Sequence, residues 1–499
     1  MKGAAFLPRF SFGVYRKAAT GVFFRYGVTE YISIMDIRKK KSADICGGAI
    51  LKSMILYSLP LIATNLLQIL FNAADVAVLG IFSEHGDGAV AAVGATGSLI
   101  QLIINVFVGL SVGTNVLVAR CVGSGDVQRS RRIVGCSVTV SVLGGIVLTF
   151  VGFFGAETFL IWMKCDAEVL ELAALYLKIY FLGMPVVMLY NFSTAVLRGI
   201  GDTFRPMIYL VVGGAANVAL NVLFVVVFHM SVEGVAIATV TAQGVSAALA
   251  IAALCKEKGA AKLMKCNLKL YGRELADIAK IGLPSGLQGS MFSISNVLVQ
   301  SSINVFGKTA MAANTIAAQY DSFTYQAMYG ISLSSTVFVS QNFGARNYSR
   351  VKRSAFTALG LTTLTGIFFG GLLALFARPL CSLMSDDEQV IDIAYTRMKI
   401  ISFTYFLCGV QEVFAYSLRG LGKSTSAMFV VLCGTCLFRI IWLNTVLVKY
   451  HTLTVLYLLY PASWLITALI FVPIFIICLK DAKKKLASEK SGSNGSILQ

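Results

Sequence analysis

Long apolar runs alternate with short polar, mostly basic stretches from about residue 50 to about residue 480. A helix needs about 20 apolar residues to cross the hydrocarbon core of a bilayer. Runs of that length fall near 54–80, 89–118, 133–155, 168–196, 206–229 and 234–255, and again near 279–305, 310–340, 354–377, 389–417, 425–448 and 453–479. The pattern predicts twelve transmembrane helices, six in each half of the chain. Residues 156–167 and 377–388 read as amphipathic turns on the outer surface.

The two halves also match residue by residue. Leu197-Arg198-Gly199-Ile200-Gly201 returns as Leu418-Arg419-Gly420-Leu421-Gly422, a shift of 221 residues. The same shift lays Gly109 on Gly330, Gly123 on Gly344, Arg129 on Arg350 and Lys178 on Lys399, while Pro60 and Pro284 correspond at a shift of 224. Copies that share one orientation in the membrane are parallel repeats, related by an axis along the membrane normal with a cavity between them. The predicted fold class is an all-α polytopic membrane protein, two six-helix bundles related by a pseudo-twofold axis along the normal.

Composition agrees with this class. Of the residues, 57% are hydrophobic and 13% charged, against about 25% charged in soluble domains, and mean hydropathy is +0.77. The net charge of +18 is a topology signal and not a nucleic-acid footprint, because it sits in alternate loops. Segment 36–52, loops 120–132, 198–205, 346–353 and 419–423, linker 256–280 and tail 480–490 hold the basic residues; the other loops hold only Lys164, Lys308, Arg378 and Lys449. The positive-inside rule then predicts a multi-pass protein of the plasma membrane (the inner membrane in a bacterium) with both termini and the linker cytoplasmic.

The expected organisation is an N-terminal extension (1–52), an N-lobe (53–257), a linker (258–278) with an interfacial helix, a C-lobe (279–480) and a disordered tail (481–499). Residues 1–34 read as neither a signal peptide nor a span, because Arg9, Arg16, Lys17 and Arg25 interrupt each apolar stretch. Met35 offers an alternative start. The eleven cysteines lie mostly in apolar runs and read as packing residues, Cys433 and Cys436 included. His85, His229 and His451 are too far apart to suggest a metal site.

The duplication, the two LRGxG phrases, Leu59-Pro60 with Asp75 in the first helix, Asn217-Val218-Ala219-Leu220-Asn221 in the fifth, and Gln341-Asn342-Phe343-Gly344-Ala345 after the eighth together resemble the multidrug and toxic compound extrusion family of cation-coupled efflux antiporters. The resemblance covers about residues 50–480. It implies two lobes in a V, substrate binding in the cleft, and H⁺ or Na⁺ driving alternating access. It also implies that Asp75 is the coupling acid of the N-lobe. Where many members carry a second acid on the fifth helix, this chain has Asn221, and Phe292 and Cys408 replace the acids of one branch's C-lobe site.

Read as chemistry, Asp75 is a membrane carboxyl that can trade a proton for a cation, since burial favours its neutral form; a solvated position near the outer helix end is the alternative. Asn217 and Asn221, four apart on the fifth helix, share one face of it and are expected to cluster with Asp75, and Thr239 on the sixth helix joins the same cation-coupling set. These two Asn could equally serve only to join helices. No metal is expected beyond Na⁺ at Asp75, and no cofactor beyond the coupling ion.

The cavity or gating candidates are Glu412, Arg439, Asp321, Gln411, Gln288 and Tyr320. Glu412 and Arg439, on neighbouring helices, are expected to neutralise each other, with a direct substrate or proton role for Glu412 as the alternative. Met291, Met311, Met328, Phe292, Tyr320, Tyr325 and Tyr329 could line an adaptable cleft for organic cations or pack helices. The expected partners are small organic substrates and the bilayer, with no nucleic acid and a monomeric state.

Efflux of amphipathic, often cationic, compounds is the function these features favour. No GxxxxGK[ST] phrase supplies an ATP site. A lipid-linked precursor flippase shares the architecture but requires a strongly basic cavity. An intramembrane transferase requires paired acids or clustered histidines, which the spans lack. The chain is expected not to be an enzyme.

Overall fold

The computed structural model describes residues 45–83, 86–163 and 165–495. The expectations for residues 1–34, His85 and Lys164 lie outside them. Among the described residues the fold is helical throughout, with no strand. The first half holds α1 (Ile50–Phe82), α2 (Gly86–Ser124) and α3 (Val127–Trp162). Next come α4, a bent pair (Ala167–Leu182 and Met184–Gly199), then α5 (Phe204–Asn221, continued by a π-turn Val222–Val227) and α6 (Val232–Lys256). The second half holds α7 (Gly272–Asn304), α8 (Lys308–Gly344), α9 (Tyr348–Leu375) and α10 (Glu388–Gly420). It ends with α11 (Ser424–Val431, π-turn Leu432–Leu437, Phe438–Asn444, Val446–Tyr450) and α12 (Leu453–Gly495).

Nine of these helices carry a window apolar enough to cross a bilayer, and the bent α4 makes a tenth. The outward faces are bare hydrocarbon: Phe154 is 75% exposed and Leu375 74%. In a bilayer those faces meet lipid. Polar groups are kept inside, where α7 and α8 bury Ser285, Gln288, Ser295, Asn314, Ser332, Ser334 and Ser335, which lowers their hydropathy.

Several boundaries differ from the sequence reading. Residues 156–162 continue α3 and do not form a separate turn, whereas the second half does break there into a short helix, Ala377–Ser382. The linker's expected interfacial helix shrinks to one 3₁₀ turn, Lys265–Asn267, because its basic end is the first turns of α7. The tail is helical to Gly495. Ala482, Lys483, Lys484, Leu486 and Ala487 are good helix formers, and Cys478, Leu479 and Ala482 bury against α10 and α11 residues. Helix α4 bends by 51° at Gly183-Met184-Pro185, where proline cannot donate to the Phe181 carbonyl and Thr149 Oγ1 donates to it instead (2.8 Å). Its counterpart α10 has Thr404-Tyr405-Phe406 there and runs unbroken.

The halves meet most extensively where α2 crosses α7. Each helix brings a GxxxG pair, Gly109/Gly113 and Gly282/Gly286, and a Cβ at any of the four would overlap the facing backbone. Packing of this closeness holds membrane helices together in place of a hydrophobic drive. Nearer the end that carries the basic loops, the contacts become reciprocal. A Cβ at Gly123 would overlap the Gln341 carbonyl, and one at its repeat partner Gly344 would overlap the Arg120 carbonyl. Arg120 Nη2 donates to Gly420 O (3.0 Å), and Gln341 Nε2 donates to Gly199 O (2.8 Å). The glycine carbonyl of each repeat phrase is thus bound by a side chain of the other half. Arg350 adds bonds to Ile45 O and Gly48 O.

Candidate functional site: a cavity between the two halves

These contacts reach up the seam as far as Ser290 Oγ with Leu102 O (3.2 Å) and Asn105 Nδ2 with Ser293 Oγ (3.2 Å). Alongside them lies a cavity of about 600 Å³, lined by both halves. Amides recur along its wall, among them Asn65, Gln68, Asn105, Gln243 and Gln288. Four side chains of opposite charge punctuate it: Asp75 and Glu412, Arg198 and Arg419.

The cluster expected around Asp75 assembles. Asp75 is 8% exposed on α1. Its carboxylate accepts from Asn221 Nδ2 (2.5 Å) and Thr239 Oγ1 (3.3 Å). Asn217 Nδ2 donates to Thr239 Oγ1 (3.3 Å), and Asn221 Nδ2 also approaches Asn217 Oδ1 (3.4 Å). Among the described residues no basic side chain pairs with this carboxylate. Asn221 Oδ1 is buried without a partner. The arrangement is a carboxyl held by neutral donors, with spare amide oxygen close by.

The expected Glu412–Arg439 pair does not form. Arg439, 1% exposed, donates to Asn296 Oδ1 (2.9 Å) and Ser463 Oγ (3.4 Å) and lies over the rings of Phe292 and Tyr460. Glu412 instead faces the cavity with no ion-pair partner among the described residues. The buried ion pair is Asp321 with Arg397 (2.7 Å), supported by Ser402 Oγ (2.9 Å). Asp321, 2% exposed, therefore belongs to helix packing outside the cavity wall. Tyr320 does too, bonding Leu380 O (2.8 Å). Gln288 and Gln411 line the cavity, and the Oε1 of Gln288 is buried and unpaired. Of the aromatic and methionine set, Phe292, Tyr325 and Tyr329 reach the wall. Met291, Met311, Met328 and Tyr320 are not among its lining residues.

Comparison with known proteins fits this geometry. The MatE family model matches residues 60–223 and 284–443, one copy in each half. The chain belongs to the MatE family. A MatE relative in Bacillus subtilis, named probable multidrug resistance protein YoeA, is 27% identical over 393 residues, covering 77% of this chain and 84% of the relative. The probable multidrug resistance protein NorM of Thermotoga maritima is 26% identical over 411 residues, covering 81% and 87%. A solved outward-facing conformation of a multidrug resistance MATE family transporter shares the fold, with a TM-score of 0.82 at 21% identity over 89% of this chain and 99% of that one. As a MatE protein the chain is a membrane transporter of the multidrug efflux type.

Sequence reasoning missed the two arginines of this MatE cavity. Arg198 and Arg419 look like loop charges, but each ends a helix whose side chains lean back toward its N-terminus. Arg198 Nη2 reaches Thr194 Oγ1 one turn earlier (3.0 Å), and Arg419 lies over the Tyr416 ring at 4.3 Å. Their recurrence at the same point of both repeats was the signal available.

Proposed function

We propose that this MatE chain exports amphipathic organic compounds in exchange for protons, with Asp75 carrying the proton and the two halves opening the cavity alternately to each side. The observation that carries this reading is a buried carboxyl on the cavity wall whose bonded partners are all neutral. Such a group can be emptied and refilled with a proton at little structural cost, whereas an ion-paired acid cannot. Asp75 is the one carboxylate of its cluster, and a bare Na⁺ prefers several oxygens with net negative charge, so H⁺ is favoured over Na⁺. Names such as multidrug resistance protein and multidrug export protein among its relatives support small organic substrates. The basic loops support a plasma-membrane protein with cytoplasmic termini and a cytoplasmic seam.

A cation crossing 100 mV supplies about 2.3 kcal/mol, enough for roughly a fifty-fold gradient of a neutral solute. The flippase reading is not favoured: two acids offset the cavity's two arginines, so the strongly basic lining it needs is lacking. The deciding experiment is efflux of a fluorescent organic cation from energised vesicles, under a pH gradient alone and then a Na⁺ gradient alone. Efflux with the pH gradient supports the proposal. Efflux with Na⁺ at clamped pH, and none with the pH gradient, reverses the choice of ion; no efflux under either overturns the transport reading.

A further inference from the structure

Resting on the export reading above, we propose that Arg198 and Arg419 form a carboxylate-binding subsite in the cavity, so that the compounds this chain carries include amphipathic acids and zwitterions as well as cations. Four observations lead there. The two residues are equivalent positions of the repeat, and both line the same cavity between the halves. Neither has a carboxylate within ion-pair distance among the described residues, whereas the buried Arg397 is paired with Asp321. Arg419 is 6% exposed, and the Nε atoms of both arginines are buried without a hydrogen-bond partner. Donors left open in this way are costly unless something else satisfies them.

The chemistry of the donor selects the ligand. A guanidinium presents a planar fork that matches a carboxylate and is more weakly hydrated than an ammonium, which suits an enclosed site. The Arg419 guanidinium is held against the Tyr416 ring, 4.3 Å from its centroid. Glu412 lies seven residues before Arg419 on α10, two turns and about 10 Å away on the same helix face. Its equivalent in the first half is Asn191, also on the cavity wall. The second half therefore offers an acid and a base at a spacing that fits a molecule with separate basic and acidic ends, while the first half has the neutral Asn191 at that spacing from Arg198. A plain cation uses Glu412 or Asp75 and gains nothing from the arginines.

The test uses a matched pair of dyes. Rhodamine 110 carries a free carboxylic acid, and rhodamine 123 is its methyl ester. Binding of each to the purified full-length protein is read by fluorescence polarisation, for wild type, Arg419→Gln, Arg198→Gln and Arg419→Lys. Losing a charge-assisted bond should weaken the acid at least about tenfold in each Gln variant and leave the ester within about twofold, with the Lys variant intermediate. Equal losses for acid and ester, no loss for the acid in either Gln variant, or failure of wild type to bind the acid would each overturn the proposal. If Arg419→Gln does not fold, Arg198→Gln decides, because Arg198 is only partly buried. Efflux of both dyes from vesicles separates the two readings. Acid-selective binding without efflux of either dye leaves the subsite standing and removes the exporter; efflux without acid selectivity removes the subsite alone.

Discussion

Arg120 and Gln341 stand at equivalent points of the two repeats, and each donates to the glycine carbonyl that ends the other half's LRGxG helix. The seam is thus a self-complementary interface within one chain, with a charged donor on one side and a neutral one on the other. A charge-assisted bond contributes about 1.5–3 kcal/mol and a neutral one about 1. Arg120→Ala should therefore open the seam more readily than Gln341→Ala. Cys121, buried beside it, reports the opening. In protein retaining only that cysteine, maleimide labelling should speed up about tenfold in Arg120→Ala and less in Gln341→Ala. Equal, slow labelling in both variants would show that these bonds do not hold the seam.

Exchange of substrate for a proton requires the two to compete. Substrate binding to detergent-solubilised wild type should weaken as the pH falls, because protonating Asp75 removes the negative charge from its cluster. In Asp75→Asn, binding should persist without that pH dependence, and efflux driven by a pH gradient should stop. Wild-type efflux from the Asn variant would exclude Asp75 as the carrier.

The Asp321–Arg397 pair is fully enclosed, so removing one partner strands a charge. Asp321→Asn and Arg397→Met should each cost about 3–5 kcal/mol, and the double variant should recover much of it. Thermal unfolding of the four proteins measures the coupling. Additive losses would mean that the two side chains do not interact.

Glu412 and Arg439 should show no such coupling. Glu412→Gln should leave the melting temperature within about 2 °C of wild type, an effect below 1 kcal/mol, and change substrate affinity. Arg439→Met should destabilise through Asn296 and Ser463, with or without Glu412. Rescue of Arg439→Met by Glu412→Gln would restore the pairing that the geometry lacks.

The sequence carried the architecture because lipid enforces it. Twelve apolar runs, the repeat and the basic loops follow from what a bilayer admits. The Asp75 cluster was legible for a local reason: Asn217 and Asn221 sit one turn apart on a single helix. Arg439 was misread because the π-turn Leu432–Leu437 inserts a residue into the helical count and turns the side chain toward α7 and α12. Simple 3.6-residue periodicity does not register that turn. Arg397 received no reading, since its burial depends on Asp321 from a helix far away in sequence. Arg198 and Arg419 were counted as loop charges because backbone position alone does not tell which way a long side chain leans.

The glycine crossing at Gly123 and Gly344 also limits how the protein can evolve. Most steric lesions in a packed interface can be relieved by trimming the opposing side chain. Here the opposing atoms are the carbonyls of Gln341 and Arg120, which every amino acid carries. A larger residue at either glycine has no second-site side chain to shorten. In a genetic screen, suppressors of Gly123→Val should be scarce at positions 120 and 341, and should arise where helix axes can be redirected, at breaks such as Gly183-Met184-Pro185. Two duplicated glycines thereby tie the paths of two distant stretches of chain to each other, so that neither repeat can drift at this point on its own.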